Sequence, residues 1–112
     1  MYQIEAVVKP QKLDELTEAL AGIGIVGMTA IEVKGYGRQK GVTEVYRGSE
    51  YKLKFVPKAL IKVAVKSSDL EKTVKLIQDR ARTGEIGDGK IFVSKLENIV
   101  RIRTGESGEA AV

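Results

Sequence analysis

Residues 59–81 read ALIKVAVKSSDLEKTVKLIQDRA and contain a strand pattern followed directly by a helix pattern. The first seven residues are apolar apart from one lysine and rich in β-branched types, which is typical of a strand. The Ser-x-x-Glu spacing of Ser68–Glu71 then matches a capping box. Apolar residues recur after it at the spacing of one helical face, namely Leu70, Val74, Ile77 and Ala81. The stretch therefore predicts a strand and a helix that covers one face of a sheet.

A second unit of the same kind opens the chain. The segment YQIEAVVK, Tyr2–Lys9, has apolar residues at every second position and predicts a strand that Pro10 ends. The helix predicted next has three leucines on one face and two glycines at its end: Leu13, Leu16, Leu20, Gly22 and Gly24. Its apolar face also requires a sheet to cover.

Three more segments predict strands, which are Met28–Lys34, Lys90–Ser94 and a short fifth strand at Ile99–Arg103. Between Gly35 and Lys58 the chain holds five glycines or prolines among many charges and has no helical stripe, so it predicts a long loop or extended hairpin. Loops of this length are usually functional. The tail after Thr104 is predicted to be mobile.

The order of these elements predicts an α+β fold. A strand-helix-strand unit stands on each side of the long loop, which fits a ferredoxin-like βαββαβ sandwich with both helices on one face of the sheet. The 112 residues suit one domain, residues 1–112. The other face of the sheet has no helix to cover it, and this uncovered face indicates self-association.

Composition excludes several classes of protein. The chain is 43% hydrophobic and 30% charged, as in a globular domain, and no apolar run reaches the roughly 18 residues of a membrane span. Without a signal peptide at its start, the chain is predicted to be cytoplasmic. The sequence has no cysteine and no histidine, which removes thiolate nucleophiles, zinc sites and imidazole bases. A net charge of +4 indicates an anionic partner.

A phosphate-binding pattern lies in residues 84–90, GEIGDGK, which satisfy G-x-x-x-x-G-K. Backbone N–H groups of such a glycine-rich loop can cradle phosphate oxygens beside a lysine, here Lys90. The loop is not a Walker A motif, because Ile91 stands where Ser or Thr would bind Mg²⁺ and because the loop runs from helix to strand. A helix end followed by a tight turn is the simpler interpretation.

Arg101 and Arg103 strengthen the phosphate hypothesis. Residues two apart on a strand point to one face about 7 Å apart, and two guanidinium groups so placed favour an anion. The alternative is an edge strand that charge protects from aggregation. Together with the glycine loop and Lys90, the pair favours a polyphosphate site.

The segment Lys34–Gly41, KGYGRQKG, imitates the start of the RNP1 motif of RNA-recognition domains. An RNA-binding ferredoxin-like domain is therefore the runner-up hypothesis. RNP1 next requires an aromatic residue and valine, where this chain has Arg38 and Gln39, and the motif normally lies on the third strand. The stacking platform that RNA needs is missing, so no nucleic-acid partner is expected.

Five separated segments resemble the PII nitrogen-regulatory signalling proteins. They are Gly27–Thr29 (GMT), Lys34–Gly41 (KGYGRQKG), Tyr46–Tyr51 (YRGSEY), Thr83–Val93 (TGEIGDGKIFV) and Arg101–Gly105 (RIRTG). The resemblance runs from Ile4 to the last residue. It implies a homotrimer of ferredoxin-like subunits with three sites for ATP or ADP in the clefts between neighbours.

The resemblance also implies which residues hold the ligands. For ATP or ADP they are Gly27, Met28, Thr29, Gly37, Arg38, Ala64, Gly87, Asp88, Gly89, Lys90, Arg101 and Arg103. For 2-oxoglutarate, which would bind beside Mg²⁺-ATP, they are Gln39, Gly41, Lys58 and Gly87, with the Gln39 amide oxygen on the metal. Many relatives carry glutamate where this chain has Lys62, and lysine offers adenine no acceptor. Lys9 stands where some relatives have arginine near 2-oxoglutarate.

Residues 37–55 resemble the family's T-loop, which contacts target proteins such as an ammonium channel or enzymes and regulators of nitrogen assimilation. Tyr51 and Ser49 match residues that relatives modify. Residues 83–90 would be the phosphate-binding loop and 101–112 a C-terminal loop and tail. The resemblance implies a regulator and not an enzyme, and no residue is an evident base for a slow ATPase. A PII-like sensor of another metabolite is the remaining alternative.

Overall fold

The computed structural model describes residues 1–37 and 54–112. Four strands are present in this part of the chain: β1 Tyr2–Val8, β2 Met28–Gly37, β3 Lys54–Val65 and β4 Lys90–Lys95. The helices are α1 Leu13–Gly22 and α2 Leu70–Ala81. Short 3-10 turns cover Pro10–Lys12, Ser67–Asp69 and Gly108–Ala111. None of the helices in the described residues is long and apolar enough to cross a membrane.

The strands form one sheet in the order β2-β3-β1-β4, and every neighbouring pair is antiparallel. Each helix connects two strands that are separated in the sheet by one other strand, so the chain forms two split βαβ units. The predicted α+β, ferredoxin-like fold is confirmed.

The core lies between the sheet and the two helices. The alternating residues Ile4, Ala6 and Val8 of β1 are fully or almost fully buried, as the period of two predicts. The other residues of the core come from β3 and both helices: Ala59, Ile61, Val63, Val65, Leu16, Leu20, Ile77 and Ala81. Helix α1 contacts α2 across this face of the sheet.

The start of α2 differs from the predicted capping box. The helix has Asp69 at its N-cap and no side-chain cap hydrogen bond, because residues 67–69 form a 3-10 turn that leads straight into it. The first turn is instead braced from inside, where the buried hydroxyl of Thr73 donates to the Asp69 carbonyl at 2.7 Å. The helix ends at Ala81, and Arg82 is already extended.

Strands β2 and β3 extend further than the sequence indicates. Strand β2 continues to Gly37 and β3 begins at Lys54, and the two strands pair with each other as far as these residues. The predicted loop of 35–58 is therefore shorter. The rings of Tyr36 and Phe55 pack at this end with centroids 4.9 Å apart. Cross-strand pairing thus extends the strands in spite of the glycines and Pro57. Proline is tolerated at position 57 because β3 pairs with β1 only from Ala59 onward, so Pro57 has a strand on one side only.

The prediction of a fifth strand at Ile99–Arg103 is wrong. A turn closes there, in which the Gly105 amide donates to the Arg101 carbonyl at 2.9 Å, and only Val100 makes an isolated bridge, to Ser107. Residues 108–111 form a 3-10 turn, and Ala111 is buried. The tail therefore packs on the domain instead of leaving it.

Candidate functional site

The loop of residues 83–89 joins α2 to β4 and has the backbone of a glycine nest. Gly84, Gly87 and Gly89 all have positive φ, of 86°, 99° and 94°. Gly89 also lies directly on β1, because a Cβ atom added there would meet the Val7 carbonyl oxygen at 1.7 Å. Both observations require glycine, and they fix the loop against the sheet where β4 begins.

The carboxylate of Asp88 closes this loop from inside. Its Oδ2 atom accepts from the backbone N–H groups of Thr83 at 2.9 Å and Gly84 at 2.8 Å. Its Oδ1 atom accepts from the Thr83 hydroxyl and lies 3.4 Å from the amino group of Lys9. These hydrogen bonds, above all that from the Thr83 side chain, hold the pKa of Asp88 well below its ordinary value.

Lys58 reaches the same loop from β3. Its amino group donates to the Gly87 carbonyl at 2.5 Å, and the residue is only 6% exposed. Gly35 on β2, which lies diagonally across from Lys58, makes room for this side chain, since a Cβ there would lie 3.0 Å from its Cγ. Burial, and then the charge of Lys9, lower the pKa of the Lys58 amine, while Asp88 opposes them.

A cavity of about 480 Å³ lies where the loop, β1 and the end of the β2–β3 pair meet. It brings together five residues that the sequence predicts for nucleotide or 2-oxoglutarate binding: Gly37, Lys58, Gly87, Gly89 and Lys90. The rest of its wall comes from Val7, Gly35, Tyr36 and Phe92. The site combines cationic side chains with a glycine backbone, which is the chemistry that polyphosphate requires.

A second group of predicted residues lies at the far end of the sheet. Gly27, Ala64 and Arg101 line another cavity, of about 630 Å³, together with the C-terminal residues Ala111 and Val112. The Arg101 guanidinium donates to both of their carbonyl oxygens at 3.4 Å. Lys58 and Ala64 are six residues apart on β3, about 20 Å at the rise of a strand. One chain therefore carries the predicted site as two separate halves.

The remaining predicted residues are distributed as follows. Met28 and Thr29 begin β2, where Thr29 lies opposite Lys62. Arg103 is exposed in the C-terminal turn, so its predicted alternation with Arg101 on a strand is wrong. Three of the predicted ligand residues and both modification candidates lie outside the described residues, namely Arg38, Gln39, Gly41, Ser49 and Tyr51. Gln39 is also the predicted metal ligand.

Lys62, which offers adenine no acceptor, has a partner in this chain. Its amino group lies 3.4 Å from Glu5 on the neighbouring strand, and the two residues are directly opposite in the sheet. Among residues 1–37 and 54–112, no group of three or more acidic, histidine or cysteine side chains could hold a metal ion.

Sequence reasoning missed Thr83 and the structural role of Lys9. Lys9 donates to the Thr83 hydroxyl at 3.0 Å as well as pairing with Asp88. The two residues are separated by 74 positions, so no local pattern joins them. A Thr-Gly pair five residues before an aspartate was the signal available, because a short side chain can return to nearby backbone N–H groups.

A ferredoxin-like sheet that carries this glycine loop is shared with a defined class of regulators. The profile of the family described as nitrogen regulatory protein P-II matches residues 1–106. The chain therefore belongs to the nitrogen regulatory protein P-II family. Members of this family are signal-transduction regulators and not enzymes, and the chain is a nitrogen-regulatory signalling protein.

Particular relatives are similar over their whole length. The nitrogen regulatory protein P-II of Azospirillum brasilense is 55% identical over 112 residues, which is 100% of both chains. The P-II protein of Rhizobium meliloti is 52% identical and the GlnK protein of Escherichia coli K12 is 50% identical, each also over 100% of both chains. The resemblance seen in the sequence motifs is thus confirmed across the entire chain.

Proposed function

We propose that this chain senses ATP, ADP and 2-oxoglutarate and passes their binding state to target proteins through residues 37–55. The supporting observation is the cavity of about 480 Å³ in which the glycine loop, Lys90 and the buried Lys58 converge. Loop N–H groups and Lys90 would hold phosphate oxygens. Gly37, at the same cavity, is the first residue of the proposed T-loop, so a ligand here would lie at its base.

The complete nucleotide site is proposed to lie between copies of the chain in a homotrimer. The half that contains Lys90 and the half that contains Ala64 and Arg101 open at opposite ends of the sheet. If one nucleotide contacts both halves, they must come from neighbouring subunits. The uncovered sheet face supports assembly as well, since it exposes Ile31 and Phe92. Light scattering after size exclusion should then give about three times the 12.2 kDa chain mass.

Mg²⁺ and 2-oxoglutarate fit the chemistry of the site. Mg²⁺ takes oxygen ligands and is commonly held by phosphates and few protein groups, so no carboxylate cage is needed. Gln39 would supply an amide oxygen to the metal and Gly41 would contact the effector. The bound metal would neutralise phosphate charge. Lys58 is the proposed partner of a 2-oxoglutarate carboxylate. An anion there would offset the repulsion between the positive charges of Lys58 and Lys9.

The chain is proposed to act in the cytoplasm. Its proposed targets are an ammonium channel or enzymes and regulators of nitrogen assimilation. Residues 1–112 would act as one unit, with loop 83–90 and the 101–112 segment as its nucleotide-binding parts. Tyr51 and Ser49 would be the candidates for modification. Pull-down from the host's cells with ADP, and in parallel with Mg²⁺-ATP plus 2-oxoglutarate, should recover different partners from the two samples.

Calorimetry tests the ligands directly. Mg²⁺-ATP and ADP should bind, and 2-oxoglutarate should release heat only when Mg²⁺-ATP is present. Lys90→Gln should weaken ATP binding by about 1.5–3 kcal/mol, the range of a hydrogen bond to a charged group. Lys95→Gln is the matched control, since it removes an exposed lysine from the same strand. If the native chain bound neither Mg²⁺-ATP nor ADP, the proposal would be refuted.

Two alternatives give different results in the same experiments. A sensor of another metabolite would bind nucleotide but no 2-oxoglutarate under any condition. An RNA-binding domain would retain RNA at physiological salt in a sequence-dependent way. The open sheet face offers RNA little to stack on, because Phe92 lies there while Tyr36 is paired with Phe55 on the opposite face.

A further inference from the structure

Both oxygens of the Asp88 carboxylate face donors within the protein. An ionised carboxylate has about four lone-pair positions. Here two donors face each oxygen: the Thr83 and Gly84 amides at Oδ2, and the Thr83 hydroxyl and Lys9 amine at Oδ1. The carboxylate is thus directed toward the protein's own donors. We call Lys9, Thr83, Gly84 and Asp88 the Asp88 clasp.

The Thr83 hydroxyl joins the clasp at one point. It donates to Asp88 and accepts from the Lys9 amine at 3.0 Å and from the Glu85 amide at 3.2 Å. The hydroxyl therefore makes every hydrogen bond open to it. The end of β1, through Lys9, and both ends of the loop are held in one network.

The clasp and Lys58 together orient the peptide group between Gly87 and Asp88. Lys58 fixes the Gly87 carbonyl, and in a trans peptide the following N–H points the opposite way, so the Asp88 amide faces away from Lys58. The amides that the clasp uses belong to residues 83–85. Those of residues 87–89 have no acceptor among residues 1–37 and 54–112 and are free to meet an anion.

We propose that the Asp88 carboxylate is a positioning group of the phosphate loop and not itself a ligand of the nucleotide, and that Lys9 and Thr83 act with it. The clasp holds the glycine backbone in the conformation that presents the N–H groups of residues 87–89 to phosphate. This inference rests on the proposed nucleotide binding and assigns a role within that site.

Charge explains why an aspartate is tolerated beside phosphate. A free carboxylate at the centre of the loop would repel a polyphosphate, but the ion pair with Lys9 and the donors around it compensate that charge. Loss of any clasp member therefore has two effects on the site. The loop backbone loses its fixed shape, and the remaining charged groups are left without their partners.

The test compares ligands with and without phosphate. In NMR titrations of ATP, ADP and adenosine, Asp88→Asn should weaken ATP and ADP at least about tenfold and leave adenosine within about twofold, since adenosine has no group for the loop. Thr83→Val should act in the same direction and Thr83→Ser should restore binding. Asp79→Asn is the matched control, because it removes a carboxylate from an exposed ion pair on α2.

A second measurement needs no ligand. Amide exchange at Thr83 and Gly84 should quicken in Asp88→Asn and Thr83→Val but not in Asp79→Asn. If the native chain and the Asp88→Asn chain bound ATP equally well, the role of the clasp would be overturned and the proposed function would stand. An equal loss for adenosine and ATP would do the same, because it would indicate general unfolding. A native chain that binds no nucleotide would overturn the proposed function and, with it, this role of the clasp.

Discussion

Replacement of Gly89 by alanine tests how closely the loop of residues 83–89 lies on the sheet. The new Cβ would stand 1.7 Å from the Val7 carbonyl oxygen and 2.7 Å from its carbon, where real Cβ contacts essentially never fall below 3.0 Å. The loop must then retreat by about 1.3 Å, the difference between 3.0 and 1.7 Å. Val7 pairs with Lys90 at the first position of the β1–β4 ladder, so the retreat disrupts pairing there.

The expected loss of stability has two parts. Alanine at a φ of 94° is strained by about 1–2 kcal/mol. Loss of one or two ladder hydrogen bonds adds about 1 kcal/mol each. The sum is about 2–4 kcal/mol, which should lower the urea midpoint by on the order of 1–2 M for a domain of this size.

Gly84→Ala is the matched control for backbone strain alone. Gly84 has a similar φ of 86°, but nothing lies within 4 Å of the added Cβ. Urea unfolding of this variant should show only the strain of about 1–2 kcal/mol. If the two variants lost the same free energy of unfolding, the close approach of Gly89 to β1 would have no energetic consequence and the reasoning would be refuted.

Three further predictions concern the sheet and the loop. Lys62→Glu places a carboxylate directly opposite Glu5 and should cost about 0.5–1 kcal/mol in urea unfolding; the loss should shrink in 0.5 M salt, and a salt-independent loss would contradict this account. Asp88 has a lowered pKa in the folded chain, so its stabilising effect relative to Asp88→Asn should be full at pH 7 and decline as the pH falls below about 4. A difference in unfolding free energy that stayed constant from pH 7 to about pH 3 would argue against the clasp. Phe55→Leu removes the ring contact with Tyr36 and should cost about 0.5–1.5 kcal/mol, whereas unchanged stability would show the pair to be incidental.

Local patterns predict the fold because the period of apolar residues reflects the geometry of the strand or helix that contains them. The alternation of Ile4, Ala6 and Val8 matches the two-residue period of a strand with one buried face, and β1 has that form. The spacing of Leu16 and Leu20 likewise matches a helix with one buried face. The predictions were wrong at the ends of β2 and β3, which pair beyond their predicted bounds, and at Ile99–Arg103, where a turn closes instead of a strand.

The candidate site divides in the same way. Residue types and spacing indicate a glycine nest with Lys90, because positive φ angles and a nearby cation belong to one short segment. The contacts of Asp88 with Lys9 and of Lys58 with Gly87 link residues 79 and 29 positions apart, so only the packed sheet brings them together. No spacing rule in the sequence covers the separation of Lys9 from Asp88.

By itself the sequence determined the class of fold, the presence of a glycine-rich loop beside Lys90 and the resemblance to one family, since periodicity, glycine positions and motifs are all local. Tertiary structure decided the direction in which each group points. It turned the Asp88 carboxylate inward, buried the Lys58 amine against the Gly87 carbonyl, and separated Ala64 and Arg101 from Lys90 at opposite ends of the sheet. The physical reason is that hydrogen bonds and charges act through space, and chain folding alone sets the distances between them.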